Sequence, residues 1–197
     1  MRTTVIAALL AFLAAAGAAA QSLQERVPVC LACHGEKGQS ENQNVPSLGA
    51  QTAPYSLIQL YLFRERQRVA EPMNDMTKGL SDDDLRTLSD MIARLPPPQP
   101  AETAGDAARI AGAQALVQQH RCNFCHAPNL AGQDNVPRIA GQREEYLQAT
   151  LRGFKSGERP GYTMAMGGAV SQVTPEELDT LAYYAAHFPG TASAPGK

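Results

Sequence analysis

The stretch Cys122-Asn123-Phe124-Cys125-His126 decides the fold, together with its earlier counterpart Cys30-Leu31-Ala32-Cys33-His34. Each places two thiols and an imidazole within about one helical turn. Two thiols at this spacing can bond to the two vinyl groups of a porphyrin, and the next residue then offers its imidazole to the iron. C-x-x-C-H is the spacing of covalent haem attachment. The plain alternatives explain less. Two disulfides would be ordinary for four cysteines in an exported chain, but all four fall in C-x-x-C pairs followed by His. A thioredoxin-like pair expects a βαβ context, and the sequence has no alternating strand pattern. A zinc site made of all four thiolates would leave both histidines idle.

Outward from the motifs, the chain repeats itself. Cys33-His34 is followed by Val45-Pro46-Ser47-Leu48-Gly49-Ala50-Gln51, and Cys125-His126 by Val136-Pro137-Arg138-Ile139-Ala140-Gly141-Gln142. A tyrosine follows four residues after each Gln, at Tyr55 and Tyr146. Leu60, Phe63 and Arg68 then match Leu151, Phe154 and Arg159 at one offset, and Met73 pairs with Met166. Between the copies lies Pro96-Pro97-Pro98-Gln99-Pro100, which is extended and semi-rigid rather than helical. This predicts a signal peptide over 1–20, a first domain over 21–96, a Pro-rich linker over 97–105, a second domain over 106–190 and a flexible tail over 191–197.

The expected class is all-α. Ser81 before Asp82-Asp83-Asp84 caps a helix whose stripe is Leu85, Leu88, Ile92 and Leu95. Thr174, Pro175 and Glu177 form a capping box ahead of Leu178, Leu181, Ala185 and Phe188. Middle helices are expected near Pro54 and Arg143, and Asp106 caps one running to about Gln119. The first unit's opening helix looks cramped, with Pro28 interrupting it. Units of roughly 70–80 residues barely offset chain entropy, so a buried macrocycle is expected to supply apolar mass.

A second axial ligand decides between carrier and catalyst, because a thioether closes the iron and raises its potential. Met73 lies eight residues before Ser81, and Met166 lies eight before Thr174, whereas Met76 and Met164 have no partner at matching distance. The repeat therefore selects Met73 and Met166 as ligands beside His34 and His126. His120 and His187 are expected at helix ends or on the surface.

Composition narrows the context. Arg2 precedes an apolar run from Val5 to Ala20 that closes on small residues, the pattern of a cleaved secretory signal rather than a span of about 20 residues. The formal net charge is −2. Nothing is basic enough for nucleic acid.

Taken together, the two motifs, the V-P-x-x-x-x-Q-x-x-x-Y segment and the Met eight residues before a capped terminal helix resemble the two-haem cytochromes c of the c4 type. That resemblance implies two tandem class I cytochrome c domains, each wrapped around one covalently attached haem and related by a pseudo-twofold axis. It implies two haem c groups held through Cys30, Cys33, Cys122 and Cys125. It also implies a periplasmic carrier, soluble or peripherally associated with the membrane. The redox partners implied are a membrane cytochrome complex or a dehydrogenase as donor and a haem–copper terminal oxidase as acceptor. In class I cytochromes a proline carbonyl accepts a hydrogen bond from the ligating imidazole, and Pro46 and Pro137 match that place.

The expected function is one-electron transfer without substrate chemistry, so not an enzyme. Phe124 stands where the first motif has Ala32, so two unequal potentials are expected. A second reading keeps the chemistry and makes the chain the electron-transfer cytochrome subunit of a periplasmic dehydrogenase, a flavoprotein that oxidises sulfide or an alcohol dehydrogenase. A third, a two-haem enzyme such as a peroxidase or a thiosulfate-oxidising dehydrogenase, needs an open or thiolate-bound iron, which spent cysteines and paired methionines argue against.

Overall fold

The computed structural model describes residues 22–101, 106–159 and 164–188. Among these residues the chain forms nine helices and no strand: α1 (Leu23–His34), α2 (Ala53–Arg64), α3 (Met73–Thr77), α4 (Asp82–Arg94), α5 (Ala107–Gln119), α6 (Cys122–His126), α7 (Glu144–Ser156), α8 (Ala165–Val170) and α9 (Pro175–His187). The expected signal peptide, the end of the linker and the tail lie outside the described residues.

Local chemistry accounts for several of these starts. Ser81 Oγ accepts the Asp84 amide at 3.1 Å while the Asp84 carboxylate accepts the Ser81 amide at 2.9 Å. Thr174 and Glu177 repeat this exchange at 3.2 and 2.8 Å. Each box satisfies helix-end donors that would otherwise be orphaned. Asp106 accepts from the Ala108 and Arg109 amides at the head of α5. Behind the caps, Leu85, Leu88 and Ile92 are buried on α4, and Leu178, Leu181 and Ala185 on α9. A fully buried Leu or Ile contributes about 1.5–3 kcal/mol, enough to fix which face of each helix turns inward.

The two halves repeat one plan. Helix α4 packs on α2 in the first, and α9 packs on α7 and α5 in the second. Leu80, Leu85 and Leu88 centre the first core, with Leu23, Val27, Leu57, Leu60 and Met91 packed around them. The second core is larger, running from Ala113 and Val117 through Leu130 and Leu147 to Leu178 and Tyr184.

One expectation is corrected. Pro28 does not interrupt the first helix; α1 runs through it and ends in the motif itself. The carbonyl that loses its donor belongs to Gln24, and both residues are exposed, so water can satisfy it. Tertiary contacts hold the helix in the turn before Pro28: Leu23 and Val27 pack on the first core, and Arg26 donates to the Met76 and Lys78 carbonyls at 2.5 and 3.2 Å. The break falls in the second half instead, where Arg121 adopts a left-handed conformation (φ 54°) between α5 and α6.

The segment 96–101 crosses between the halves without regular secondary structure. Gln99 N–H donates to Gln39 Oε1 at 3.0 Å on one side, and Ala101 N–H to the Ala186 carbonyl at 3.1 Å on the other. The loops that follow the two motifs meet beneath it.

Candidate haem sites and the seam between them

In α1 and α6 the 3.6-residue period puts both cysteines and the histidine on neighbouring positions of one helix. Cys30 and Cys122 are half-buried, Cys33 and Cys125 exposed, and the four thiols form no disulfide. Burial pushes the Cys30 and Cys122 thiols above their ordinary range. Among the described residues, no group of three or more His, Cys, Asp or Glu side chains could hold a metal ion. The thiolates therefore do not converge on a zinc site.

His34 and His126 are both buried. Nδ1 of His34 lies 2.8 Å from the Pro46 carbonyl, and Nδ1 of His126 lies 2.9 Å from that of Pro137. A carbonyl only accepts, so each Nδ1 carries the proton and each Nε2 keeps its lone pair. Burial holds both imidazoles below the ordinary histidine range, with the bond to the proline carbonyl acting in the opposite direction. A neutral ring with a free, oriented Nε2 is the form that ligates iron.

Met73 opens α3 and Met166 is the second residue of α8; both are half-buried. Met166 packs against the second core. Met76 and Met164 are exposed, the latter at 92%. His120 sits at the end of α5, 3.8 Å from Glu177, and His187 Nδ1 donates to the Tyr183 carbonyl at 2.9 Å while its ring rests on the Tyr183 ring.

Along the seam lies a cluster that sequence reasoning did not single out. Tyr146 Oη receives Arg68 Nη2 from the first half at 3.3 Å and Arg159 Nη2 from the second at 3.2 Å. Arg159 also hydrogen-bonds Tyr55. Burial alone would raise the Tyr146 hydroxyl, but the two guanidiniums outweigh it and bring it down to about 8. Arg138 is 4% exposed, and among the described residues its Nε and Nη2 have no hydrogen-bond partner. Among the described residues, none of the ion pairs involves Arg68, Arg138 or Arg159. Arg138 is buried and Arg68 and Arg159 are half-buried, and cations drawn out of water beside neutral groups are costly unless an anion joins them. The two carboxylate side arms of a haem c would supply that charge, so the residues present fit the group. The only advance signal was the recurrence of Arg and Tyr at equal offsets.

Gln51 and Gln142 reach across the same seam. Gln142 Oε1 accepts the Ser47 amide at 2.7 Å, and its Nε2 donates to the Ser47 carbonyl at 2.8 Å. Gln51 makes the reciprocal pair with Arg138, at 2.7 and 3.0 Å. The two pairs repeat each other with the halves exchanged, which is a pseudo-twofold arrangement.

A helical unit occurring twice, each copy carrying C-x-x-C-H on a helix and a histidine held by a proline carbonyl, defines the class: tandem class I cytochrome c domains. Comparison with known proteins narrows this. No protein-family model matches the chain. A cytochrome c4 from Stutzerimonas stutzeri is 30% identical over 84% of this chain and 87% of its own length. The crystal structure of reduced recombinant cytochrome c4 from Pseudomonas stutzeri superposes with a TM-score of 0.75 at 28% identity, over 84% of this chain and 96% of that one. A protein named thiosulfate dehydrogenase electron acceptor, from Thiomonas intermedia, is 27% identical over 95% of this chain and 91% of its own. The chain belongs to the cytochrome c4 family, whose members are two-haem, electron-transferring c-type cytochromes.

Proposed function

We propose that this protein is an exported, periplasmic carrier of single electrons between a respiratory donor and an acceptor such as a terminal oxidase. The observation that carries the reading is the duplicated imidazole geometry, His34 on Pro46 and His126 on Pro137. Cys30 and Cys33 would tether one haem c, and Cys122 and Cys125 the other, with His34 and His126 as the near ligands. Met73 and Met166 would close the far positions. Their half-buried placement, against the exposure of Met76 and Met164, supports that choice. When bound, each haem supplies an iron that changes by one electron between ferric and ferrous. The protein's part is to keep the ligands fixed, so that little rearranges, and to offer Arg68, Arg138 and Arg159 to the carboxylate arms. The domain division follows the repeat: 21–96, a linker over 97–105, and 106–190, after removal of a signal peptide over 1–20. Among the described residues no helix is long and apolar enough to cross a membrane.

A second reading has one observation in its favour. The Thiomonas relative is named as the electron acceptor of a thiosulfate dehydrogenase, and the match covers nearly all of this chain. The physiological donor would then be a periplasmic dehydrogenase. Rapid reduction by such an enzyme, with no reduction by a membrane cytochrome complex, would select this reading.

The ligand set is tested by the near-infrared spectrum of the oxidised protein. A methionine-to-ferric-iron charge-transfer band is expected, reduced by about half in Met73→Ala and again by about half in Met166→Ala, each variant gaining high-spin character at one haem. An undiminished band in both variants sinks the assignment.

A further inference from the structure

The peptide group between Pro46 and Ser47 is engaged at both ends. Its carbonyl accepts from His34 Nδ1 at 2.8 Å, and its N–H donates to Gln142 Oε1 at 2.7 Å. The peptide between Pro137 and Arg138 is engaged in the same way, by His126 at 2.9 Å and by Gln51 Oε1 at 2.7 Å. Each glutamine belongs to the opposite half of the chain from the histidine it thereby reaches. We infer that Gln142 and Gln51 act as crossed positioning residues: each sets the redox balance of the haem in the other domain, through the one peptide that joins its amide to the ligating histidine. The inference rests on the two-haem, His-ligated reading given above.

Three observations favour a relay over simple adhesion. The amide orientation is over-determined. Gln142 Oε1 also accepts Arg143 N–H at 2.9 Å while its Nε2 faces the Ser47 carbonyl, and Gln51 Oε1 also accepts Thr52 N–H at 3.0 Å while its Nε2 faces Arg138. A flipped amide would set donors against donors. The four residues Ser47, Gln51, Arg138 and Gln142 are also each buried, which limits the access of bulk water to these bonds. Finally, the bonds run head to tail. Donating its N–H makes a peptide carbonyl a better acceptor, and hydrogen bonds in series strengthen one another in a low-dielectric surround. A stronger Nδ1–H···O bond gives the imidazole more anionic character, which favours ferric iron and lowers the potential.

The test is a redox titration of the holoprotein followed by NMR, reading the haem methyl signals of each domain separately. In Gln142→Leu the potential of the first-domain haem is expected to rise, with the second-domain haem unmoved. In Gln51→Leu the pattern reverses. Gln142→Glu, which keeps an oxygen facing Ser47 N–H, is expected to bring the first-domain haem back to or below its parent value. A shift in the substituted domain only, a common shift of both haems, no shift at all, or a Glu variant matching the Leu variant each overturns the relay. The near-infrared methionine band of every variant separates two failures. An intact band without the crossed pattern removes the relay alone, whereas its absence from the parent removes the His/Met reading beneath it.

Discussion

Ala127 follows the second haem-motif histidine at φ 67° and ψ 157°, a region that L side chains adopt only under strain. Its counterpart after the first motif is Gly35, at φ 85° and ψ 140°, where an added Cβ would stand 1.9 Å from the Gln39 carbonyl oxygen. Both turns send the chain back so that the proline carbonyl can reach the imidazole. Strain of about 1–3 kcal/mol at such a residue exceeds the 0.5–1 kcal/mol entropic cost of glycine. Ala127→Gly is therefore expected to raise stability by about 1 kcal/mol, and Gly35→Ala to lower it by more. Urea midpoints of the two variants check both signs, and a lowered midpoint in Ala127→Gly would contradict the argument. At this scale the motif cysteines and histidines were legible, because their chemistry is packed into five consecutive residues. The roles of Gln51 and Gln142 were not. Their partners are 87 and 95 residues away, so no local pattern announces them.

The helices were legible where their ends carry side-chain caps. Helices α4, α5 and α9 start where Ser81, Asp106 and Thr174 predict; α4 and α9 bury the first three residues of each expected stripe, while Leu95 and Phe188 fall just past the helix ends and are half-buried. Thr174→Ala and Ser81→Ala are each expected to cost about 1 kcal/mol, seen as a lower denaturation midpoint with unchanged slope. A loss near zero in both would mean that packing alone holds these ends. Helix α1 was misjudged, because a proline inside a short segment argues locally for a break. Two apolar side chains on a core and an arginine bonded to distant carbonyls outweigh that local preference. The break at Arg121 carries no glycine or proline to mark it.

For the molecule as a whole, the contacts that join the halves are mostly neutral. Glutamine amides meet backbone groups in buried positions, and the linker adds backbone bonds on either side. Exposed ion pairs weaken as the Debye length shrinks from about 30 Å at 0.01 M salt to about 3 Å at 1 M, but buried neutral bonds do not. The radius of gyration from small-angle scattering is expected to stay constant across that range. An expansion at high salt would show that charge, not the glutamine pairs, holds the seam. The two cores are also unequal, the first resting on Leu80, Leu85 and Leu88 and the second on a much longer set. A bound haem would therefore weigh more in the stability of the first half, where less apolar surface is otherwise removed from water.

What the sequence determined alone was everything written in short range or in repetition: two haem motifs, the all-α class, the duplicated unit, the caps and the family resemblance. Covalent spacing and helix-end chemistry act over a few residues, so they survive in one dimension. Tertiary structure alone decided that α1 runs through its proline, that Arg68, Arg138 and Arg159 gather at the seam outside the ion pairs of the described residues, and that each half presses a glutamine against the peptide behind the other's histidine. Those outcomes depend on which distant surfaces are buried together, and burial is a property of the packed chain.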